Sequence, residues 1–481
     1  MSSDAHPARA GSSLNIRRTK IVATLGPATS SPEQVAALVA AGMDLARINA
    51  SHGTLEQRAA LIASTRAAAS GVDRPVAVLL DLQGPRIRVG DLPAPMMLEP
   101  GRTVVLAPEG TAAAGEIPTT YDLAVDVRAG TQILLADGLM ALEVVAVRPP
   151  RVEARVKDGG ELTSHKGINL PGVTVSAPAL TDKDHADVAF AIEHGVEYLA
   201  LSFVRKAEDI AALRALLPPT IRIIAKIEKD TALGDLDRIT DASDAVMVAR
   251  GDLGVELPYE LVPLAQKRVI RVAVEHRRPV ITATQMLESM IHNPRPTRAE
   301  ASDVANAILD GTDAVMLSAE TAVGDHPRGA VEAMDRIIRA VEGDPGWRPG
   351  PEWLGEVAAG PARTEHAVAA AAVAAARMLR APVIVTFTKS GFSARMVSAS
   401  RPAVPILAVT DNGPTFRQLA LVWGVVPMRA DGPPRYDAML DAARERILDS
   451  GLAKRGDRVV VTAGVPFDVP GTTNLVKVEE V

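Results

Sequence analysis

The chain has no cysteine among its 481 residues. That excludes disulfides, thiolate metal sites and cysteine nucleophiles, and it agrees with a cytoplasmic enzyme. Aromatic residues make up only 3% of the chain, so the core must be mostly aliphatic. Runs of about 18 apolar residues are missing, and no transmembrane helix is expected. Positive charge is not in excess: 52 Lys and Arg stand against 58 Asp and Glu, a net charge of −6. No electrostatic footprint for nucleic acid follows from that balance. The opening "MSSDAHPARAGSS" lacks the apolar centre of a secretory signal, so residues 1–16 are expected to be a flexible tail. Neither G-x-x-x-x-G-K-[ST] nor G-x-G-x-x-G occurs, so the P-loop and protein-kinase apparatus are excluded, and H-E-x-x-H and G-x-S-x-G are absent too.

What is present is ordinary for a folded protein, with 47% hydrophobic and 23% charged residues. The length suggests roughly two to four domains. From Arg17 onward, strand-like runs alternate with amphipathic segments. The runs are "KIVATLG", "MDLARIN", "VAVLLDL", "VEYLALSF", "RIIAKIE", "DAVMVAR", "PVITATQ" and "DAVMLSA". Helices between them carry clear boundaries. One opens on a Thr54/Gln57 capping box and closes at Gly71; another has Pro32 at its first position and Gly42 past its end. Eight such units predict a parallel (β/α)8 barrel over residues 17–88 and 173–345.

Helical patterning stops between residues 89 and 172. Short alternating strands such as "TQILLAD" and "RVEARV" replace it, which predicts a small β-barrel lid domain inserted after the third barrel strand. A linker rich in Pro, Gly and Trp follows the eighth unit. Residues 360–481 then read as a separate α/β domain, with a helix beginning near Thr364 and strands "PVIVTF", "PILAV" and "RVVVTA".

Barrel enzymes carry their chemistry at the C-terminal ends of the strands. Here those ends hold Arg47, Asn49 and Ser51; Asp81 with Arg86 and Arg88; Lys226 and Glu228; Arg250 and Asp252; Thr282 and Thr284; and "SAET". Each residue alone reads as a solvated or bridged polar group, and Lys226 with Glu228 as a structural ion pair. Together they converge on one rim. Glu228 and Asp252, from neighbouring strands, suit a hard divalent cation that keeps several waters, Mg²⁺ or Mn²⁺. Arg47, Arg88 and Lys226 suit a phosphate or another polyanion. Those are the parts phosphoryl transfer requires.

Longer strings sharpen this. "RTKIVATLGPAT", "ARINASHGT", "IIAKIEKD", "VMVARGDLGVELP", the run from "TATQMLESM" to "AVGDHP", and "VVVTAGVPFDVPGTTNL" closely resemble the pyruvate kinase family, from about Arg17 to the C-terminus. The resemblance implies a Mg²⁺-dependent homotetramer that converts phosphoenolpyruvate and ADP to pyruvate and ATP. It implies that Lys226 contacts the transferring phosphoryl group and that Glu228 and Asp252 are Mg²⁺ ligands. Gly251, Asp252 and Thr284 would bind the substrate carboxylate, with Ser202 and Phe203 in the substrate wall. Arg47 and Arg88 would hold phosphate groups, and Asn49, His52 and Lys166 would serve the nucleotide. Other barrel enzymes acting on phosphoenolpyruvate, such as mutases, aldolases and dikinases, would lack the inserted lid.

Two segments depart from the common family text. Asn49, Ser51, Asp81 and the Leu82 carbonyl match a monovalent-cation site, but "DLQGPRIR" places Arg86 where K⁺-dependent members carry a glutamate. A fixed cation there would replace and repel K⁺, which predicts K⁺-independent activity; the alternative reading is that Arg86 only bridges Asp81 or a lid carboxylate and K⁺ still binds. In "TFTKSGFSARMVS", the loop of Thr386, Thr388, Lys389, Ser390, Gly391 and Ser393 matches the family's site for a sugar-phosphate or nucleotide effector. Ordinary N-capping by Ser390 or Thr388 is the alternative reading. Phe392 replaces a small or polar residue there, which leaves the effector's identity open.

Overall fold

A computed structural model describes residues 16–72, 74–350, 363–430, 435–465 and 472–481. The chain divides into two compact units: Ile21–Met334, and Met1–Lys20 with Asp335–Val481.

The first unit is built on a closed parallel barrel. Its strands in chain order are Lys20–Leu25, Leu45–Asn49, Ala77–Asp81, Tyr198–Leu201, Arg222–Ile227, Ala245–Ala249, Val280–Ala283 and Ala314–Leu317, and the first lies beside the eighth. Most of their side chains are apolar and buried, as strands covered on both faces require, with polar exceptions such as Arg47, Asp81 and Lys226. The outer helices start and stop where the sequence signals lie. Thr54 accepts from the Gln57 N–H to open the helix Leu55–Gly71, and Ser31 accepts from the Gln34 N–H to open Pro32–Ala41. Gly42, with φ at 123°, closes the latter.

Between the third and fourth barrel strands lies the inserted β region. Six strands pair in the order Ile168–Asn169, Gln132–Leu135, Met140–Arg148, Arg151–Asp158, Thr103–Pro108 and Ile117–Thr119, and a ribbon joins Gly160–Leu162 to Met96–Leu98. Leu98 and Leu162 from the ribbon share one core with Leu106, Ile133, Leu142 and Val156. The region is tied to its base by backbone hydrogen bonds: the Val89 N–H donates to the Lys166 carbonyl at 2.8 Å and the Ile168 N–H to that of Ile87 at 2.9 Å.

The second unit holds a five-stranded sheet in the order Val425–Arg429, Ile406–Thr410, Ile384–Phe387, Arg458–Ala463 and Leu475–Glu480. Four strands are parallel and the last is antiparallel. The first of these strands carries Pro427 in its middle and the last is half charged, which weakens the strand signal of both. The Ala-rich helix Thr364–Leu379 buries Ala369, Ala372 and Ala376, so its small residues bring it close to its neighbours. No helix among the described residues is long and apolar enough to cross a membrane.

Candidate active site

The barrel's C-terminal rim encloses a cavity of about 180 Å³. Arg47, Asn49, Ser51 and His52 reach it from the second strand and its loop, and Asp81, Leu82, Arg86 and Arg88 from the third. Ser202, Lys226, Asp252 and Thr284 line it as well, whereas the expected Glu228, Gly251 and Phe203 are not among its lining residues. Gly84 shapes the turn after the third strand. Its φ is +69°, and a Cβ there would lie about 3.0 Å from the Phe203 ring.

Asp81 sits at the centre of the charges. Arg47 grips its Oδ2, with Nη2 at 2.6 Å and Nε at 2.8 Å, and Lys226 Nζ approaches Oδ1 at 3.3 Å. Lys226 also pairs with Glu228 Oε1 at 2.7 Å and donates to Ser202 Oγ at 2.8 Å. Ser202 in turn donates to the Leu82 carbonyl at 2.8 Å. The other Glu228 oxygen accepts the Phe203 N–H at 2.7 Å, in a backbone turned to a φ of +56°.

These groups shift one another's protonation. Burial alone would raise the Asp81 carboxyl, but Lys226 and then Arg47 outweigh it and hold it below the usual carboxylate range. For Lys226, burial disfavours the ammonium, yet Asp81 and then Glu228 outweigh that and raise its pKa. Burial pushes Glu228 up, Lys226 opposes this, and the charge of Asp252 reinforces it, so its pKa rises. Glu228 and Asp252 thus repel each other, and Lys226 relieves only part of that repulsion. A divalent cation fits such a pair of carboxylates. No group of three or more His, Asp or Glu side chains arranged for a metal occurs among the described residues, so any metal here would draw its remaining ligands from water or substrate.

Thr284 has a φ of +65°; its hydroxyl donates to the Ala283 carbonyl at 2.6 Å and accepts the Gly251 N–H at 2.8 Å. Arg86, 44% exposed, lies 3.7 Å from Asp252 rather than beside Asp81. A second cavity of about 220 Å³ opens between the rim and the inserted region. It shares Arg86, Arg88 and Asp252 with the first and adds the expected Phe203 and Lys166.

Three rim expectations are corrected. Arg250 turns away from the cavity, with its Nη1 2.7 Å from Asp303 and its Nη2 2.6 Å from the Thr284 carbonyl, so it braces the rim from behind. Thr282 is buried against Thr312 Oγ1 at 3.0 Å. In "SAET", Glu320 accepts the N–H groups of Ser318 and Leu287 at 2.6 and 3.1 Å, so its charge is spent on the backbone. The eighth strand lends Met316 to the cavity instead.

Residues 16–331 match the family profile "Pyruvate kinase, barrel domain", and residues 366–479 match "Pyruvate kinase, alpha/beta domain". The chain belongs to the pyruvate kinase family. A pyruvate kinase of Agrobacterium vitis is 44% identical over 472 residues, covering 97% of both chains. One of Geobacillus stearothermophilus is 46% identical, over 96% of this chain and 80% of its own length. A crystal structure of a pyruvate kinase from Cryptosporidium parvum superimposes with a TM-score of 0.91 at 34% identity, over 96% of each chain. The chain is therefore a phosphotransferase on the pyruvate kinase fold.

Within this pyruvate kinase fold, the cavity beneath the inserted region holds residues the sequence did not flag: Asp137, His165, Arg205 and Lys229. Asp137 and His165 both have positive φ, at 56° and 65°. The Asp137–Gly138 pair was the available signal, a turn that presents a carboxylate. In the C-terminal unit, Thr386, Thr388 and Ser393 are buried, and Gly391, with φ at 76°, opens the helix Phe392–Ala399. The N-cap position of that helix is held by Gly391, which has no side chain to accept a bond. Lys389 is paired with Asp411 at 2.5 Å, Ser393 Oγ with Thr473 Oγ1 at 2.7 Å, and the Ser390 carbonyl accepts from Arg395.

Proposed function

We propose that the chain transfers the phosphoryl group of phosphoenolpyruvate to ADP, giving pyruvate and ATP. The observation that carries this reading is the Arg47–Asp81–Lys226–Glu228 chain of ion pairs, set on the rim beside Asp252. Glu228 and Asp252 would hold Mg²⁺ or Mn²⁺, which when bound would neutralise charge on the phosphoryl oxygens. Lys226, kept protonated by Asp81 and Glu228, meets the transferring phosphoryl group. It steadies the enolate oxygen as the substrate's P–O bond breaks and a new one forms to the ADP β-phosphate. Arg47 and Arg88 hold phosphate oxygens.

The Gly251 and Asp252 backbone and the Thr284 hydroxyl receive the substrate carboxylate, with Ser202 and Phe203 as its wall. Thr284 lies beside the path by which water delivers a proton to the enolate carbon. His52, Asn49 and Lys166 serve the nucleotide. The inserted region closes over the rim and keeps water from taking the phosphoryl group.

Activity without K⁺ belongs to the same reading. Asn49 Oδ1 already accepts the Ser51 N–H at 3.0 Å, and the Leu82 carbonyl accepts Ser202 Oγ–H at 2.8 Å. Asp81 is neutralised by Arg47 and Lys226, and Arg86 adds a fixed cation in the same cavity. The loop Thr386–Ser393 is read as an effector site for a phosphate-bearing ligand, supported by Thr386 Oγ1, which is buried without a hydrogen-bond partner among the described residues. Assembly as a homotetramer in the cytoplasm completes the reading, and light scattering on the purified chain checks the assembly. A coupled assay of pyruvate formation from phosphoenolpyruvate, ADP and Mg²⁺ tests the activity. Absence of turnover overturns it.

A further inference from the structure

The short helix Arg250–Glu256 begins next to the substrate cavity and ends on a buried carboxylate. Glu256 Oε1 accepts two bonds from different parts of the unit. Lys229 Nζ lies 2.5 Å away and Asn169 Nδ2 2.9 Å away. Asn169 ends the strand by which the inserted region returns to the barrel, where it pairs with Leu134. Lys229 directly follows Glu228, and its ammonium stands 6.0 Å from the centre of the Phe203 ring. Both Lys229 and Asn169 line the cavity under the inserted region, and Glu256 fixes them from behind. Its second oxygen, Oε2, is buried and has no hydrogen-bond partner among the described residues. A bridge serving stability alone would use both oxygens, because a buried unmet acceptor is costly.

We propose that Glu256 is a positioning residue that joins the returning strand of the inserted region to the helix carrying Gly251 and Asp252, and so sets the affinity for the nucleoside diphosphate. Three elements meet at one oxygen: the returning strand through Asn169, the loop after Glu228 through Lys229, and the helix through Glu256. A displacement of the inserted region that breaks the Asn169 bond leaves Lys229 and Glu256 paired, so the barrel side keeps its shape while the cover loosens. The unspent Oε2 lets the ammonium shift without losing its counter-charge. Affinity for ADP, which must lie under the cover, depends on the Asn169 bond more than affinity for phosphoenolpyruvate does, since the latter sits on the rim below.

The kinetic arm of the test rests on the phosphoryl-transfer reading; the exchange arm does not. Asn169→Ala leaves the Lys229–Glu256 pair intact and is the first variant. It should raise the KM for ADP about tenfold, the value of one hydrogen bond to a charged group, and leave the KM for phosphoenolpyruvate within about twofold. Glu256→Gln should move the same constants in the same direction. The double variant should be no worse than the more affected single one, because the two residues form one unit. Hydrogen exchange should quicken by about tenfold at the Ile168 N–H in Asn169→Ala, with the melting temperature of the barrel unchanged. An unaltered KM for ADP, equal changes in both KM values, additive effects, or unaltered exchange at Ile168 each overturns the inference. If the wild type shows no turnover but exchange quickens in the variant, the activity fails while the link between strand and helix stands.

Discussion

Lys226, on the fifth barrel strand, and Glu228, the residue just past that strand's end, form a buried ion pair at 2.7 Å. Alternation along a strand puts both side chains on the same face. A salt bridge serving stability alone would end there. Here the same ammonium also meets Asp81 and Ser202, and the same carboxylate feels Asp252. In the proposed reaction the pair separates its roles, the cation to the phosphoryl group and the anion to the metal.

Replacing Lys226 tests that division. Lys226→Met should lower kcat by about 10²–10³-fold or more, the range for losing one preorganised group that stabilises the transition state. The barrel should still fold, and circular dichroism checks this. Turnover within about tenfold of wild type would show that Lys226 is only a structural partner of Glu228.

Monovalent cations should have little effect. Activity in K⁺-free Tris buffer should lie within about twofold of that in KCl, because fixed cations already neutralise Asp81. Arg86→Glu removes a cation from the cavity and adds an anion, and should make turnover depend on K⁺. Strong activation of the unmodified chain by KCl contradicts this account.

Acid sensitivity should have a structural source far from the chemistry. Asp244 is half-buried and held by Arg214 at 2.5 Å, by Arg222 at 3.1 Å and by the Ile223 N–H at 2.9 Å. Burial would raise its carboxyl, but Arg222, Arg214 and that N–H outweigh it and lower the pKa. A lowered carboxyl stabilises the fold above its unfolded value, about 3.9, and the gain is lost as pH falls through the folded value. Asp244→Asn should therefore cost about 1–2 kcal/mol at pH 7 and less in acid. Urea unfolding at two pH values reads this directly, and an equal cost at both would contradict it.

Effector binding should separate from stability at Thr386. Thr386→Val removes a buried hydroxyl that has no hydrogen-bond partner among the described residues, so it should stabilise the C-terminal unit or leave it within about 1 kcal/mol. It should also abolish any shift of the phosphoenolpyruvate saturation curve by sugar phosphates or nucleoside monophosphates. A variant that responds as the wild type does removes Thr386 from the site.

The barrel was legible because each strand is mostly apolar and several helices open on their own caps, as at Thr54 and Ser31. The cavity residues on strands followed from parity, which correctly placed Arg47 with Asn49. Loops obey no parity. Arg250, one residue past its strand, reads as a rim cation but turns back to Asp303. Glu320 is turned onto the backbone in the same way. Asp137 and His165 reach the upper cavity only through left-handed turns in the inserted region, and Glu256 is linked to Asn169 across 87 residues. No local pattern announces such pairings, because tertiary packing alone brings them together. The expected antagonism between Arg86 and the monovalent site also took a different form, since Arg47 and Lys226 already hold Asp81 while Arg86 leans on Asp252.

The most direct test of the central claim follows phosphorus itself. Purified chain, phosphoenolpyruvate, ADP and Mg²⁺ are combined in one tube and monitored by phosphorus NMR. The account predicts that the phosphoenolpyruvate signal decays as the γ-phosphate of ATP grows in equal amount, and that Lys226→Met halts both. Decay of phosphoenolpyruvate into inorganic phosphate without ATP, or no decay at all, would contradict it.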